Sequence, residues 1–260
     1  MIILPDIHGR KFWKQTVEGN ENEKIIFLGD YFDPYGYEGI FDEDAIANFE
    51  EIIDFRNNHK DNVIMLLGNH DCGYLWDGEV CSSRRSRRYY GDIRHLLQEN
   101  YNYFDLAHYE KIGDKEYLFS HSGIHKKWLF LLFEDFYKNN NYTVSQVPLL
   151  LNNWLHLPNT DKEVYLGMYS YYRGYVSSTY GSCVWADVRE WSDEEPQLKE
   201  NKMLNAYQIF GHTQLELEPI VKSDFACLDV RRGFILTEDN KLIDKFHPTC
   251  EITYDLMKEQ

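Results

Sequence analysis

The sequence has too little positive charge for several classes of partner. Its 27 lysine and arginine residues face 43 aspartate and glutamate residues, which gives a formal net charge of −16 at neutral pH. A chain with this negative charge repels phosphate polymers and anionic lipids. The sequence therefore disfavours nucleic acid as a partner and predicts no membrane partner. Any anionic ligand must therefore be held by a local positive site.

The sequence also lacks paired cysteines and long apolar runs. Its five cysteines are odd in number and have no CxxC spacing, which argues against a disulfide framework and a zinc knuckle. The first candidate ligand is already residue 6, which leaves no room for a signal peptide, and no apolar run approaches the length of a membrane span. We expect a cytoplasmic protein.

The chain length predicts one large α/β domain. With 260 residues and 43% hydrophobic residues, the chain can bury a sizeable core. We predict a single domain over residues 1–260, with a helical insertion over residues 125–206 that contains helices at 126–137 and 144–155. Aromatic residues crowd the second half of this insertion, and we interpret them as packing, with a substrate wall as the alternative.

Five apolar runs, each typical of a buried strand, end on residues that can bind a metal ion. In chain order, run 2–4 precedes Asp6 and His8, run 25–28 precedes Asp30, run 63–67 precedes Asn69, run 117–119 precedes His121, and run 207–210 precedes His212. A buried carboxylate is costly to desolvate unless it is paired or holds a metal. We therefore expect these strand ends to converge on one site.

The remaining elements are predicted from spacing and turn residues. Apolar residues at helical spacing predict a helix that starts at Asp42, with Asp42 as its N-cap, and that completes a strand–helix–strand unit. Residues 92–100 are predicted to be helical, and residues 109–120 to form a hairpin. Residues 72–91 have no clear pattern. Short β runs over residues 226–254 predict a terminal antiparallel portion.

The candidate ligands divide into two half-shells around Asp30. Asp6 and His8 lie two residues apart on one loop, whereas the later histidines can meet Asn69. Asp30 has two oxygens and can bridge the two halves. Mixed nitrogen and oxygen ligands without thiolate suit Mn, Fe, Zn or Co better than Mg or Ca. We predict two divalent metal ions, with Mn preferred, about 3.5–4 Å apart.

The charge of this centre indicates its substrate. Two divalent ions supply about four positive charges, whereas two carboxylates and a bridging hydroxide supply about three negative charges. The centre therefore has a net charge of about +1 and attracts an anion. Phosphate esters suit it, because the metals can clamp the phosphoryl oxygens and activate the bridging hydroxide for in-line attack. The leaving alkoxide then needs a proton. His70 is next to Asn69 and is our candidate general acid, with Asp33 as the carboxylate that orients it.

Five ordered motifs carry a family resemblance. They are Asp6-x-His8-Gly9, Gly29-Asp30-x-x-Asp33, Gly68-Asn69-His70-Asp71, His121 and Gly211-His212. This series resembles the signature of the calcineurin-like metallophosphoesterases, and five ordered blocks are a specific signal. The resemblance implies a four-layer α/β sandwich of two mixed β-sheets flanked by helices. It also implies a first metal site of Asp6, His8 and Asp30, and a second metal site of Asp30, Asn69, His121 and His212.

Two departures from the family pattern concern the substrate. Gln214 stands where many members have a second histidine, as in the phosphoprotein phosphatase branch and its bacterial diadenosine-tetraphosphatase relatives. Those phosphatases have an arginine after the second aspartate, but here Asp33 is followed by Pro34. Trp185-Ala186-Asp187 loosely resembles a Trp-x-Asp segment of that branch.

An arginine run after the third motif is a candidate for the missing phosphate-holding group. It consists of Arg84, Arg85, Arg87 and Arg88. The alternative for this run is a solvated surface. We interpret the histidines outside the motifs as structural; they are His59, His95, His108, His125, His156 and His247.

Together these features predict a metal-dependent phosphatase that hydrolyses a phosphomonoester or phosphoanhydride of a small molecule or phosphoprotein. One alternative is a phosphodiesterase or nuclease that uses the same site. The other is an inactive metallophosphoesterase fold that serves as a binding scaffold, which is disfavoured because every ligand and acid position is retained.

Overall fold

Two β-sheets form the centre of the computed structural model, which describes residues 1–76, 84–133, 143–158, 160–173, 180–192 and 204–257. The strands in these parts of the chain are β1 (Ile2–Leu4), β2 (Ile25–Phe27), β3 (Val63–Leu66), β4 (Phe104–Asp105), β5 (Ala107–Ile112), β6 (Lys115–Ser120), β7 (Tyr207–Phe210), β8 (Ile220–Val221), β9 (Phe225–Cys227), β10 (Phe234–Leu236), β11 (Lys241–Asp244) and β12 (Ile252–Asp255). The first sheet has the order β12-β11-β10-β1-β2-β3-β4, and the second has the order β5-β6-β7-β9-β8.

Helices cover the outer faces of the sheets. Over the same described residues they are α1 (Phe12–Val17), α2 (Asp42–Asn58), α3 (Asn69–Leu75), α4 (Tyr90–Glu99), α5 (Lys126–Leu132), α6 (Gln146–His156), α7 (Lys162–Leu166) and α8 (Arg189–Ser192). Short 3₁₀ turns occur at Gly36–Glu38, Tyr101–Tyr103 and Tyr171–Arg173. No helix in the described parts of the chain is both long and apolar enough to cross a bilayer.

Both sheets are mixed, as predicted. Strands β1 to β4 are parallel neighbours in the first sheet, and β6, β7 and β9 are parallel neighbours in the second, whereas the other pairs are antiparallel. The predicted fold class, two mixed sheets flanked by helices, is confirmed. Because parallel strands end at the same edge of a sheet, the loops that follow β1, β2 and β3 are neighbours.

Alternating side chains of the central strands fill two separate cores. Ile26 packs with Phe119 and Ile209 between the sheets. Phe27 points to the opposite face and joins a core that includes Phe49 of α2. These strands are apolar at successive positions because both of their faces are buried.

Several predicted elements differ from the structure in detail. Helix α2 begins at Asp42, but its N-cap is Phe41, whose N–H donates to Asp44 Oδ2 at 2.9 Å. The prediction of Asp42 as N-cap was therefore wrong, and the Asp42 carboxylate instead accepts from the Ser86 hydroxyl at 2.6 Å. The predicted hairpin is confirmed as β5–β6. The terminal portion is antiparallel from β10 to β12, but β9 pairs in parallel with β7.

Helices α5 to α8 lie between β6 and β7, where the helical insertion is predicted. Helix α5 ends at Leu132, and part of the helix predicted over residues 126–137 lies outside the described residues. Helix α6 agrees with the helix predicted over residues 144–155 to within two residues. Tyr169 packs on Trp185 with a centroid distance of 4.3 Å, and both are buried, as expected of packing residues. The single domain over 1–260 and the insertion limits 125–206 stay predictions.

Candidate metal centre

The six predicted metal ligands lie at the ends of five strands. Asp6 and His8 follow β1, Asp30 follows β2, Asn69 is the first residue of α3, which follows β3, and His121 and His212 follow β6 and β7. All six are at most 9% exposed. The carboxyl ends of parallel strands in the two packed sheets thus bring these side chains together.

Asp30 lies in the middle of the group. Its Oδ2 is 3.5 Å from Nε2 of His8 and 3.5 Å from Nε2 of His121. His121 Nε2 is also 3.1 Å from Asn69 Oδ1 and 3.1 Å from His212 Nδ1. Asp6 Oδ1 lies 4.0 Å from His121 Nε2. One carboxylate oxygen therefore stands between the two predicted half-shells.

The histidine rings are held in the orientation that a metal ligand needs. His8 Nδ1 lies 2.6 Å from the carbonyl oxygen of Phe32, and His121 Nδ1 lies 2.8 Å from that of Leu28. Because a carbonyl oxygen only accepts, each Nδ1 donates, and each Nε2 presents its lone pair toward Asp30. This hydrogen bond behind the ring is the usual support of a metal-binding histidine.

The electrostatics of the group also fit divalent cations. Burial lowers the pKa of His8 and of His212 well below the ordinary histidine value, so both rings are neutral. Burial raises the pKa of Asp6, and the neighbouring Asp30 carboxylate raises it further. Asn69 Oδ1 and His121 Nε2 are two acceptors 3.1 Å apart. A cation among these atoms would relieve this repulsion, so the residues fit the metal ions that the motifs predict.

The Asp71 carboxylate holds the loop that carries Asp30. It accepts hydrogen bonds from the backbone N–H groups of Asp30 at 2.8 Å, Tyr31 at 3.0 Å and Gly68 at 2.9 Å. Sequence reasoning included Asp71 in a motif but assigned it no role. Its signal was its place beside His70 in a block that follows a buried strand.

Two ligand carboxylates are also oriented by backbone donors of the opposite loop. Asp30 Oδ1 accepts from the N–H of His70 at 2.9 Å, and both oxygens of Asp6 accept from the N–H of His212 at 3.0 and 2.9 Å. A glycine precedes each donor by one or two residues, and neither glycine position has room for a side chain. A Cβ at Gly68 would lie 2.1 Å from Asp30 Oδ1, and one at Gly211 would lie 2.0 Å from Asp6 Oδ2.

His70 lies beside the ligands and is held by Asp33. Its Nδ1 is 2.6 Å from Asp33 Oδ2, while Asp33 Oδ1 accepts from the Tyr74 hydroxyl. A ligand nitrogen of His70 lies within 4.8 Å of ligand atoms of both His8 and Asp30, so the ring borders the first metal site. The second ring nitrogen of His70, Nε2, lies 3.2 Å from Nη2 of Arg84.

Of the four arginines in the predicted run, Arg84 reaches this site. It also donates to the Asp33 carbonyl at 2.6 Å and stacks on the Tyr35 ring at 3.6 Å. Arg85 instead donates to the Gly73 carbonyl at 2.8 Å. Arg87 and Arg88 are exposed, and Arg88 lies 3.8 Å from Glu43.

The structure adds a second arginine that sequence reasoning missed. Arg173 precedes His212 by 39 residues in the chain, but its Nη2 donates to Thr213 Oγ1 at 3.1 Å and its Nε pairs with Asp187 at 2.8 Å. After burial, its charge is the largest contribution that lowers the pKa of His212. The Trp-x-Asp segment was the available signal, because Asp187 holds Arg173 in this position.

Gln214 does not join the ligands. It is exposed, and its amide lies 3.1 Å from the Tyr37 hydroxyl and 3.1 Å from Arg231 Nε. The described structural histidines make contacts elsewhere: His156 Nε2 lies 3.0 Å from the Phe104 carbonyl, and His247 Nε2 lies 2.8 Å from Glu218.

Comparisons with known proteins identify a family and a fold for this chain. Residues 2–215 match the family of calcineurin-like phosphoesterases. A 1.1 Å structure of a cold-active protein tyrosine phosphatase is similar over 100% of this chain and 80% of that one, with 17% identity and a TM-score of 0.58. The cold-active protein-tyrosine phosphatase of a psychrophilic Shewanella species is similar over 97% and 79%, with 16% identity and a TM-score of 0.56. At these identities the likeness shows the fold. No match was found among curated proteins.

Gly68→Ala should weaken metal binding, because its Cβ would displace the Asp30 carboxylate that lies 2.1 Å away. We expect a loss of about tenfold or more in Mn²⁺ affinity, as for other changes that misorient a ligand, measured by calorimetric titration. Gly91→Ala is the matched control: nothing lies within 4 Å of its Cβ, and it sits inside α4. The control should keep its Mn²⁺ affinity. Equal affinities in both variants would contradict the crowding at Gly68.

Proposed function

The chain belongs to the calcineurin-like phosphoesterase family, and on that basis we propose that it is a binuclear metal-dependent phosphatase that hydrolyses a phosphomonoester or a phosphoanhydride. Family membership makes the protein a metal-dependent hydrolase of phosphoesters. The number of ions, their identity and the class of ester are our proposal. The observation that carries it is the position of Asp30 Oδ2, 3.5 Å from both His8 Nε2 and His121 Nε2.

Two divalent ions, with Mn preferred over Fe, Zn or Co, suit this arrangement. Asp6, His8 and Asp30 would hold one, and Asp30, Asn69, His121 and His212 the other. When bound, they would supply Lewis-acid activation of the attacking water and neutralise charge on the transferring phosphoryl group. The protein's own task is to orient the carboxylates and to keep the rings neutral, and the hydrogen bonds to Phe32 and Leu28 support that role.

His70 is our general acid, and Asp33 is its orienting group. The Asp33 carboxylate accepts a hydrogen bond from His70 Nδ1–H, which leaves Nε2 to face the leaving-group oxygen. Arg84 lies next to this Nε2 in the free protein. Arg84 can only donate, so Nε2 accepts from it here and carries no proton. A phosphate dianion that arrives here would draw the guanidinium of Arg84 away. Nε2 would then take a proton from solvent and give it to the leaving-group oxygen.

Two arginines lie where they could bind the phosphate group of a substrate at the metal centre. Arg84 lies on the His70 side, and Arg173 lies on the His212 side. A guanidinium can bind two phosphoryl oxygens at once, which suits a terminal phosphate group. These arginines would stand in for the one that the sequence lacks after Asp33, and they support a place near the phosphoprotein phosphatase branch.

We also propose a cytoplasmic location and a small phosphorylated molecule or phosphoprotein as substrate. Among the described residues, Cys72, Cys183, Cys227 and Cys250 are free, as expected where thiols are kept reduced. The net charge of −16 disfavours nucleic acid. A phosphodiesterase that uses the same residues, and an inactive binding scaffold, remain the alternatives that the following experiments separate.

His70→Gln should lower kcat by on the order of a hundredfold for an alkyl phosphate, the typical effect of a general acid. The loss should be much smaller for nitrophenyl phosphate, whose leaving group hardly needs a proton. His95→Gln, at an exposed residue of α4 that pairs with Glu99, is the matched control. Metal content should stay unchanged in both variants. An equal loss with both substrates would rule out the acid role.

Arg84→Ala should raise KM for a phosphate dianion by about 10–100-fold, the range expected for a lost hydrogen bond to a charged group. Competitive inhibition by inorganic phosphate should weaken by the same factor. Arg87→Ala removes a charge from the same run at an exposed position and should leave both constants unchanged. If the two variants behave alike, the run is a solvated surface.

Nitrophenyl phosphate should be hydrolysed with higher kcat/KM than its bis-nitrophenyl diester in the presence of Mn²⁺. Because Gln214 is engaged by Tyr37 and Arg231, it would leave a coordination position of the first metal open for the additional non-bridging oxygen of a monoester. Gln214→His should reduce the ratio of kcat/KM for the monoester to kcat/KM for the diester. A wild-type protein that cleaves the diester or single-stranded DNA faster than any monoester would favour the phosphodiesterase alternative, and one that cleaves nothing would favour the scaffold.

A further inference from the structure

Asp229 is a buried carboxylate at the same sheet edge as the candidate metal centre. It comes two residues after β9, which is the parallel neighbour of β7, and β7 leads into His212. Its carbonyl oxygen accepts from the N–H of Leu215 at 2.9 Å, which ties the two loops together. The apolar run before Asp229 gives it the same sequence context as Asp30. No motif considered above includes it.

Among the described residues, one oxygen of this buried carboxylate has no hydrogen-bond partner. Asp229 is 2% exposed, and its Oδ1 has no hydrogen-bond partner within the described part of the chain. An unpaired buried carboxylate costs free energy unless something compensates its charge. Asp244, a buried carboxylate farther along the chain, shows the usual solution, because it is paired with Arg232 at 2.6 Å.

The charges around Asp229 are those of the first metal site. The carboxylates of Asp6 and Asp30 repel its negative charge, and the guanidinium groups of Arg10 and Arg231 attract it. Arg10 is already committed elsewhere, since it donates to Glu38 at 2.7 and 2.9 Å and to the Asp6 carbonyl at 3.1 Å. The unpaired oxygen of Asp229 therefore belongs to the surroundings of Asp6.

The first metal site has fewer predicted protein ligands than the second, so a further carboxylate nearby would help it to hold a cation. It has three predicted protein ligands, and Gln214, at the position of a second histidine in many relatives, is turned to Tyr37 and Arg231.

We propose that Asp229 is a positioning residue of the first metal site, where its charge and free acceptor oxygen help to retain the cation held by Asp6, His8 and Asp30. This inference rests on the proposed binuclear centre. It assigns to Asp229 the support that a histidine at position 214 would otherwise give.

The test is a calorimetric titration of metal-stripped protein with MnCl₂. In Asp229→Asn, the Mn²⁺ affinity of one of the two binding steps should fall by about 10–100-fold, which is the usual effect of losing a residue that supports the metal ligands. The affinity of the other step should stay unchanged. In the double variant Asp229→Asn/Gln214→His, the new histidine should recover part of the lost affinity. Such a rescue would not follow from a purely structural role.

Asp244→Asn is the matched control for burial. It should lower the thermal midpoint of the metal-free protein, because Arg232 loses its partner, and leave both Mn²⁺ binding steps unchanged. Asp229→Asn should lower the metal-free midpoint much less than Asp244→Asn, since no hydrogen bond to its Oδ1 is lost. Unchanged Mn²⁺ binding in Asp229→Asn, or a midpoint lowered as in Asp244→Asn without rescue by Gln214→His, would overturn the inference. A wild-type protein that binds no Mn²⁺ would instead overturn the binuclear centre itself.

Discussion

The hydrogen bonds of the Asp71 carboxylate hold together the two loops on which the candidate site depends. Three backbone N–H groups, from Asp30, Tyr31 and Gly68, converge on this one buried side chain. They fix the loop after β2 against the loop after β3, so that Asp30 faces the histidines that come from the second sheet. Each buried N–H that loses its acceptor costs about 1–3 kcal/mol, which makes Asp71 a major support of the site.

The site also contains backbone strain that only such support can maintain. Four of its non-glycine residues have positive φ: 43° at His8, 55° at Asp30, 58° at Asp33 and 64° at His212. Each costs on the order of 1–3 kcal/mol, and strain of this kind concentrates at functional sites. Of these residues, His8 belongs to the first proposed metal site, His212 to the second and Asp30 to both, while Asp33 is the partner of His70. The strain therefore falls on both proposed metal sites and on the proposed acid.

Sequence reasoning found the elements that local pattern determines. Apolar runs followed by polar residues identified the ends of β1, β2, β3, β6 and β7, because a doubly buried strand must be apolar until it reaches the sheet edge. It did not identify roles that depend on distant parts of the chain. Arg84 differs from Arg87 only in what the fold brings beside it, and Asp229 acquires its setting from β9 pairing with β7. Nothing in the local pattern distinguishes those residues.

The central claim is that Asp30 joins two metal ions, and metal analysis of Asp30→Asn tests it most directly. Wild-type protein and variant would be stripped, reloaded with Mn²⁺ and desalted, and their metal content measured by mass spectrometry alongside phosphatase activity. An amide has neither the charge nor the second anionic oxygen that a bridge requires. The account predicts two ions per wild-type chain, at most one in the variant, and loss of most activity. A variant that retains two ions and near-normal turnover would contradict it.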